Sequence, residues 1–126
     1  MDKQIIPTEA APAPIGPYSQ AVMANGTLYI SGQIPIDPAN GLVITGDIEA
    51  ETRQVMENLG AILKIYGLDF GHIVKTTIFI RNMGDFTRIN TVYGSFFTKD
   101  FPARETVEVS RLPKDVQVEI SCIAVK

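Results

Sequence analysis

FPARETVEVSRLPKDVQVEI, residues 101–120, alternates apolar and polar side chains twice, on either side of a proline-containing break. Alternation with a period of two is typical of strands that bury one face, so this segment predicts two strands joined by a short loop. Val107 and Val109 share one face of the first strand, which leaves Arg104 and Thr106 on the other. The second strand turns its apolar residues to the core and leaves Glu119 on the opposite face.

An antiparallel hairpin turning near Leu112 would make Arg104 and Glu119 close cross-strand neighbours on one sheet face. Two interpretations of that pair are open. It is either an exposed salt bridge, which contributes roughly 0.2–1 kcal/mol to stability, or one half of an active site. The position of the two residues alone favours the salt bridge, so the surrounding sequence has to decide.

The surrounding motifs resemble those of the RidA/YjgF family of reactive enamine/imine deaminases. Any one of them would be weak evidence, whereas their common order and spacing make the resemblance specific, and it covers nearly the whole chain. The motifs are APAPIGPYSQA at 11–21, SGQIP at 31–35, VKTT at 74–77, DF at 85–86 followed by Asn90 and Tyr93, FPAR at 101–104, LPKD at 112–115 and VEI at 118–120.

Size and composition are those of one globular domain spanning residues 1–126. The 126 residues are 45% hydrophobic and 20% charged, and no apolar run is long enough to span a bilayer. The N-terminus lacks the hydrophobic core of a signal peptide, so we expect a cytoplasmic protein. Cys122 is the single cysteine, and its place in the alternation of the last strand predicts a buried, inert thiol.

The charge pattern argues against a nucleic-acid partner and the residue spacing against a metal. The net charge is −3 and the eleven Lys and Arg residues are scattered, without the basic cluster that a nucleic acid requires. His72 is the single histidine, and no His/Cys/Asp/Glu spacing suits zinc. A Ser-His-Asp triad would have to use His72, with nothing nearby in the sequence to support it.

The order of predicted elements, ββαβαββ, indicates an α+β fold with two helices covering one face of a mixed sheet. Asn25-Gly26 predicts a two-residue hairpin turn, Asp47 a helix N-cap and Gly67 a helix end, and residues 36–41 a loop. Besides the two strands within 101–120, the predicted strands span residues 18–24, 27–31 and 73–80, and the predicted helices span 48–66 and 85–97.

The predicted third strand is apolar or β-branched on both faces. Thr77 and Phe79 alternate with Thr76, Ile78 and Ile80, so both faces need cover, and two helices provide it on one side only. We therefore expect self-association across the open face. The family resemblance implies the form of the assembly, which is a homotrimer of a chorismate-mutase-like fold with pockets between subunits.

The resemblance also implies the site residues. Arg104 matches an arginine that clamps the substrate carboxylate, and Glu119 matches a glutamate that positions water and moves protons. Thr106 stands where many members have cysteine and is expected to contribute mainly through its backbone. The other substrate-binding residues implied in this way are Tyr18, Ser31, Gly32 and Asn90.

The activity implied is cofactor-independent hydrolysis of 2-aminoacrylate or 2-aminocrotonate, by way of their imines, to a 2-keto acid and ammonia. The alternative is a module that binds a small 2-keto acid or amino acid without turnover, for which Arg104 would suffice and Glu119 would be unnecessary. An endoribonuclease, an activity attached to some relatives, fits less well because the chain is acidic and has one histidine.

Overall fold

The computed structural model describes residues 2–126 as one mixed sheet with two helices on one of its faces. Three single 3₁₀ turns, Phe70–His72, Met83–Asp85 and Pro113–Asp115, connect the main elements. The strands are β1 (Lys3–Gln4), β2 (Ala21–Ala24), β3 (Thr27–Gln33), β4 (Ile36–Asp37), β5 (Leu42–Val43), β6 (Ile73–Ile80), β7 (Ala103–Glu108) and β8 (Val118–Val125), and the helices are α1 (Ile48–Ile65) and α2 (Phe86–Gly94).

The main sheet has the strand order β1-β2-β3-β8-β6-β7. Strands β6 and β7 are parallel, and every other neighbouring pair is antiparallel. Helix α2 forms the crossover between the two parallel strands, because such strands cannot be joined by a tight turn. The sheet is therefore mixed, as the sequence predicts, and β4 pairs with β5 as a separate hairpin.

Local sequence signals explain the first hairpin and the long helix. Asn25 and Gly26 both have positive φ, 51° and 78°, which a two-residue turn of type I′ requires. The Asp47 side chain accepts a hydrogen bond from the Glu49 amide at 3.0 Å and caps α1. After α1, Gly67 has a φ of 76°, a conformation in which glycine ends a helix at little cost. These predictions are confirmed.

The core lies between the two helices and one face of the sheet. Burial is complete for Ile78 on β6, for Val118 and Ile120 on β8, and for the α1 residues Leu59 and Ile62. No helix within residues 2–126 has the length and apolarity needed to cross a membrane.

Neither helix covers the other face of the sheet, here called the open face, although Phe79 packs there against a second apolar cluster of Ile34, Ile36, Leu112 and Val116. Tyr29 on β3 and Val107 on β7 lie there and are 51% and 43% exposed. Thr77 and Phe79 on β6 share the same face, since the register pairs Phe79 with Val107. The prediction that β6 is apolar on both faces and that the helices cover only one of them is confirmed.

The predicted hairpin within residues 101–120 is wrong. Strand β6 lies between β7 and β8 and pairs with both. The chain leaves β7 through a nine-residue connection that contains Pro113–Asp115, where Lys114 and Asp115 have positive φ of 55° and 56°. In this position β8 pairs with a strand on each side, β3 and β6.

Three smaller differences concern element bounds. Residues 18–20 lie outside any strand, since the first hairpin strand begins at Ala21. The predicted loop at 36–41 begins with β4. Helix α2 ends at Gly94 rather than near Phe97, and a 3₁₀ turn at Met83–Asp85 precedes it.

Candidate active site

Arg104 lies on the helix-covered face of the sheet, where side chains of α2 surround its guanidinium group. Its Nη1 donates a hydrogen bond to Asn90 Oδ1 at 2.7 Å. The guanidinium carbon lies 5.6 Å from the centre of the Phe86 ring and 5.1 Å from that of Tyr93, within range of a cation–π interaction. Phe86, Asn90 and Tyr93 are spaced i, i+4 and i+7 on α2 and therefore share one helix face.

A hydrogen bond to Thr76 on β6 fixes the orientation of the Tyr93 ring. The Tyr93 hydroxyl and Thr76 Oγ1 are 2.8 Å apart in a buried hydrogen bond, and Thr76 is the register partner of Arg104 across the β6–β7 pair. Burial is the main reason that the pKa of Tyr93 is raised, against the lowering effects of the Thr76 hydrogen bond and the Arg104 charge. The ring thus remains a neutral phenol with a fixed orientation.

The Arg104 guanidinium has donors to spare. Within residues 2–126 its one side-chain hydrogen bond goes to Asn90, and none of the four ion pairs includes it. It borders a cleft of ≈ 330 Å³ lined by Asn90, Tyr93, Gly94, Phe101, Pro102 and Arg104. A planar fork of free donors beside a cleft is suited to a carboxylate, which it binds through two parallel hydrogen bonds.

Thr106 follows two residues later on the same face of β7. Its Oγ1 is buried and has no hydrogen-bond partner among residues 2–126. Burying a hydroxyl without a partner costs stability, so the Thr106 side chain destabilises the fold of the single chain.

Glu119 lies on the open face of β8, packed against Gly32 of β3. A Cβ atom on Gly32 would stand 2.8 Å from the Glu119 Cδ, so any other residue at position 32 would displace the carboxylate from its present place. The absence of a side chain at Gly32 leaves room for the Glu119 carboxylate. Burial raises the pKa of Glu119, and the carboxylate makes no hydrogen bond or ion pair within the described chain.

Tyr18 and Ser31 lie near Glu119 rather than near Arg104. Tyr18 lines a small crevice together with Gly32, and its hydroxyl accepts a hydrogen bond from the Ile15 amide at 3.2 Å. Ser31 Oγ donates to the Ser19 carbonyl at 2.7 Å and so ties the 18–20 segment to β3. The ring of Tyr18 is half exposed.

The seven predicted site residues therefore form two groups. The Arg104 group contains Arg104, Asn90 and Thr106, and the Glu119 group contains Glu119, Gly32, Ser31 and Tyr18. Arg104 is paired with Thr76 and Glu119 with Phe79, so the two residues are two strands and three residues apart. Standard strand spacings put their Cα atoms about 14 Å apart, and an offset of three residues puts their side chains on opposite faces. The predicted cross-strand contact is wrong.

Comparison with known proteins identifies the family. A family model described as Endoribonuclease L-PSP matches residues 8–126. The chain is also 43% identical to the 2-iminobutanoate/2-iminopropanoate deaminase of Homo sapiens, over 98% of this chain and 90% of the human one. The chain belongs to the RidA/YjgF family.

Other RidA/YjgF proteins match along nearly their full length. A RutC family protein of Pyrococcus horikoshii is 52% identical over 98% of both chains. The crystal structure of E. coli TdcF with bound serine superposes with a TM-score of 0.94 at 44% identity and 98% coverage of both chains. The α+β fold with two helices on one face of a mixed sheet is thus the fold of RidA/YjgF proteins.

Sequence reasoning missed three residues around Arg104, namely Phe86, Tyr93 and Thr76. The helical spacing predicts that Phe86 and Tyr93 share one apolar stripe of the second helix, and it predicts no site role for Thr76. The spacing of both aromatic residues about Asn90 on one helix face was a signal that could have found them. Among residues 2–126 no group of three or more His, Cys, Asp or Glu side chains could hold a metal ion.

Proposed function

We propose that this RidA/YjgF protein hydrolyses 2-aminoacrylate and 2-aminocrotonate, through their imines, to 2-keto acids and ammonia, in the cytoplasm. The observation that carries the proposal is the Arg104 guanidinium, which is held by Asn90 beside an open cleft and is paired with no carboxylate of the described chain. Both substrates carry a carboxylate next to the reacting carbon. The deaminase name of the human relative supports the same reaction.

The active site in this proposal forms between subunits of a homotrimer. In one chain the Arg104 and Glu119 groups lie on opposite sheet faces, so they cannot both contact a molecule of three or four carbons. The open face carries Glu119 together with half-exposed apolar side chains such as Tyr29 and Val107. Packing this face against the β7 edge of a neighbour would bury the apolar side chains and bring Glu119 to the neighbour's Arg104.

The mechanism assigns binding to one group and proton transfer to the other. Arg104 and a backbone N–H near Thr106 hold the substrate carboxylate, which orients the reacting carbon. Glu119 removes a proton from a water molecule as its oxygen adds to the imine carbon, and it gives that proton to the nitrogen, which yields a carbinolamine. It then takes the proton of the new hydroxyl group and passes it to the nitrogen, so the C–N bond breaks, ammonia leaves and the C=O bond forms. Burial raises the pKa of Glu119, which makes it a stronger base than an exposed glutamate.

A second candidate function is binding of a small carboxylate ligand without turnover. The serine bound in the structure of E. coli TdcF favours it, because Arg104 could bind an amino-acid carboxylate equally well. Against it stands Glu119, since burial of an unpaired carboxylate is costly and pure carboxylate binding gains nothing from a second negative group. Endoribonuclease activity remains the least supported by the net charge of −3 and the single histidine.

The test is a coupled assay in which a threonine dehydratase releases 2-aminocrotonate and the imine absorbance is followed with and without this protein. We expect faster decay with the wild-type protein and no acceleration with Arg104→Ala. Arg104→Lys should restore little, because an ammonium group cannot reproduce the two parallel hydrogen bonds. Saturable binding of 2-ketobutyrate without any acceleration by the wild-type protein would instead establish the binding function, and cleavage of RNA under the same conditions would favour the endoribonuclease.

A further inference from the structure

We propose that Tyr93, held by its hydrogen bond to Thr76, is a positioning residue that fixes the plane of the Arg104 guanidinium for the substrate. The inference rests on the proposed function, in which Arg104 binds the substrate carboxylate. It assigns to Thr76 and Tyr93 a role in ligand binding that packing alone does not require.

Thr76, Tyr93 and Arg104 each interact with the other two. Thr76 and Arg104 are register partners on β6 and β7, so the backbone of Arg104 is fixed relative to Thr76. The Thr76 hydroxyl holds the Tyr93 hydroxyl at 2.8 Å, and the Tyr93 ring lies 5.1 Å from the Arg104 guanidinium carbon. The backbone and the guanidinium group of Arg104 are therefore both positioned relative to Thr76, the first through strand pairing and the second through the Tyr93 ring.

The Arg104 guanidinium needs the contact with Tyr93 to fix its orientation, because no carboxylate of the described chain pairs with it. An arginine in an ion pair is oriented by its carboxylate, but Arg104 has no such partner in the described chain and a single hydrogen bond, to Asn90. One hydrogen bond leaves the guanidinium free to rotate about the Nη1 contact. The rings of Phe86 and Tyr93 supply further contacts, and a guanidinium that is oriented beforehand loses less freedom when the ligand binds.

A purely structural role would be served by apolar side chains. Thr76 is fully buried and Tyr93 is 4% exposed, so both hydroxyl groups lost their water on folding. Replacing a buried hydrogen-bonded pair by apolar groups of the same shape is often close to neutral for stability. What the pair adds is the direction of the ring, because the hydroxyl at its far end is held at a defined point of β6.

The test compares Thr76→Val and Tyr93→Phe, which each remove one hydroxyl and keep the shape of the side chain. Thr52→Val is the matched control, because Thr52 is also fully buried and its hydroxyl makes one buried hydrogen bond, to the Ile48 carbonyl at 2.7 Å. Binding of 2-ketobutyrate is measured by calorimetry. The side-chain N–H signals of the arginines are recorded by NMR and assigned with Arg104→Lys, which is practicable for a chain with five arginines.

We expect both site variants to bind 2-ketobutyrate about 10-fold more weakly than the wild-type protein, since part of the orientation is lost. Their Arg104 N–H signals should shift and broaden, whereas Thr52→Val should keep wild-type affinity and Arg104 signals despite any loss of stability. Wild-type affinity and unchanged Arg104 signals in both folded site variants would overturn the inference. Should the wild-type protein neither bind 2-ketobutyrate nor accelerate imine decay, the proposed function fails, and the Arg104 signals of the variants still decide whether Tyr93 positions the guanidinium.

Discussion

Two inactive variants, Arg104→Ala and Glu119→Gln, should regain activity when their subunits are mixed. Each variant alone lacks one required group in every site, and we expect each to lose at least about 100-fold in turnover. The Cα atoms of Arg104 and Glu119 lie about 14 Å apart in one chain, with the side chains on opposite faces. A site that takes Arg104 from one subunit and Glu119 from the next is intact when its Arg104 comes from a Glu119→Gln subunit and its Glu119 from an Arg104→Ala subunit. Random 1:1 mixing produces this combination in about one quarter of the sites.

The assay is imine decay after the two variants have been unfolded in urea, mixed and refolded together. Wild-type protein mixed 1:1 with an Arg104→Ala/Glu119→Gln double variant is the matched control. It should retain about one quarter of the wild-type activity if the site lies between subunits, but about one half if each chain holds its own site. No recovery in the first mixture together with one half in the second would refute the intersubunit site. Light scattering with size exclusion tests the assembly itself, which should have three times the chain mass of 13.8 kDa.

Three further predictions concern single residues. Glu119→Gln should lower turnover by about 10²–10⁴-fold while 2-ketobutyrate binding survives, and in the wild-type protein kcat/KM should fall as the pH drops through the raised pKa of Glu119; a flat pH profile would remove its role as the base. Thr106→Val should raise the free energy of unfolding by about 1–3 kcal/mol in urea titrations, because it deletes a buried hydroxyl without a partner, while Thr106→Cys should leave imine decay nearly unchanged. Burial raises the pKa of Glu51, which is 3% exposed on α1. The free energy of unfolding therefore falls as the pH rises from the pKa of Glu51 in the unfolded chain through its higher pKa in the folded one. In urea titrations Glu51→Gln should be more stable than the wild-type protein at pH 7 but not at pH 4.

Local signals predicted the elements that local physics determines. The turn at Asn25-Gly26, the N-cap at Asp47 and strand β6 all depend on residues that are neighbours in sequence, and the structure has them where they were expected. Alternation also assigned the faces of β8 correctly, with Glu119 opposite the buried residues. Periodicity therefore states which residues of one strand share a face.

Periodicity does not state which strand lies beside which. Strands β7 and β8 are adjacent in sequence, so a hairpin was the simplest expectation, yet β6 enters between them because a crossover through α2 places it beside β7. The error changed the interpretation of the site, because the structure places Arg104 and Glu119 on opposite faces of the sheet and not on one. The family resemblance implied the site residues but could not supply the separation of Arg104 and Glu119 within one chain, which depends on long-range pairing.

The position of β8 in the sheet has a consequence for how the chain folds. Val118–Val125 is the last strand in the order of the described residues, and it is the only link between β1-β2-β3 and β6-β7 in the described sheet. Until these residues have been synthesised, the two halves have no common neighbour, and β3 and β6 each present an unpaired edge. Completion of the sheet therefore waits until Val118–Val125 has been synthesised, and before that point the nascent chain is most exposed to aggregation and to proteases.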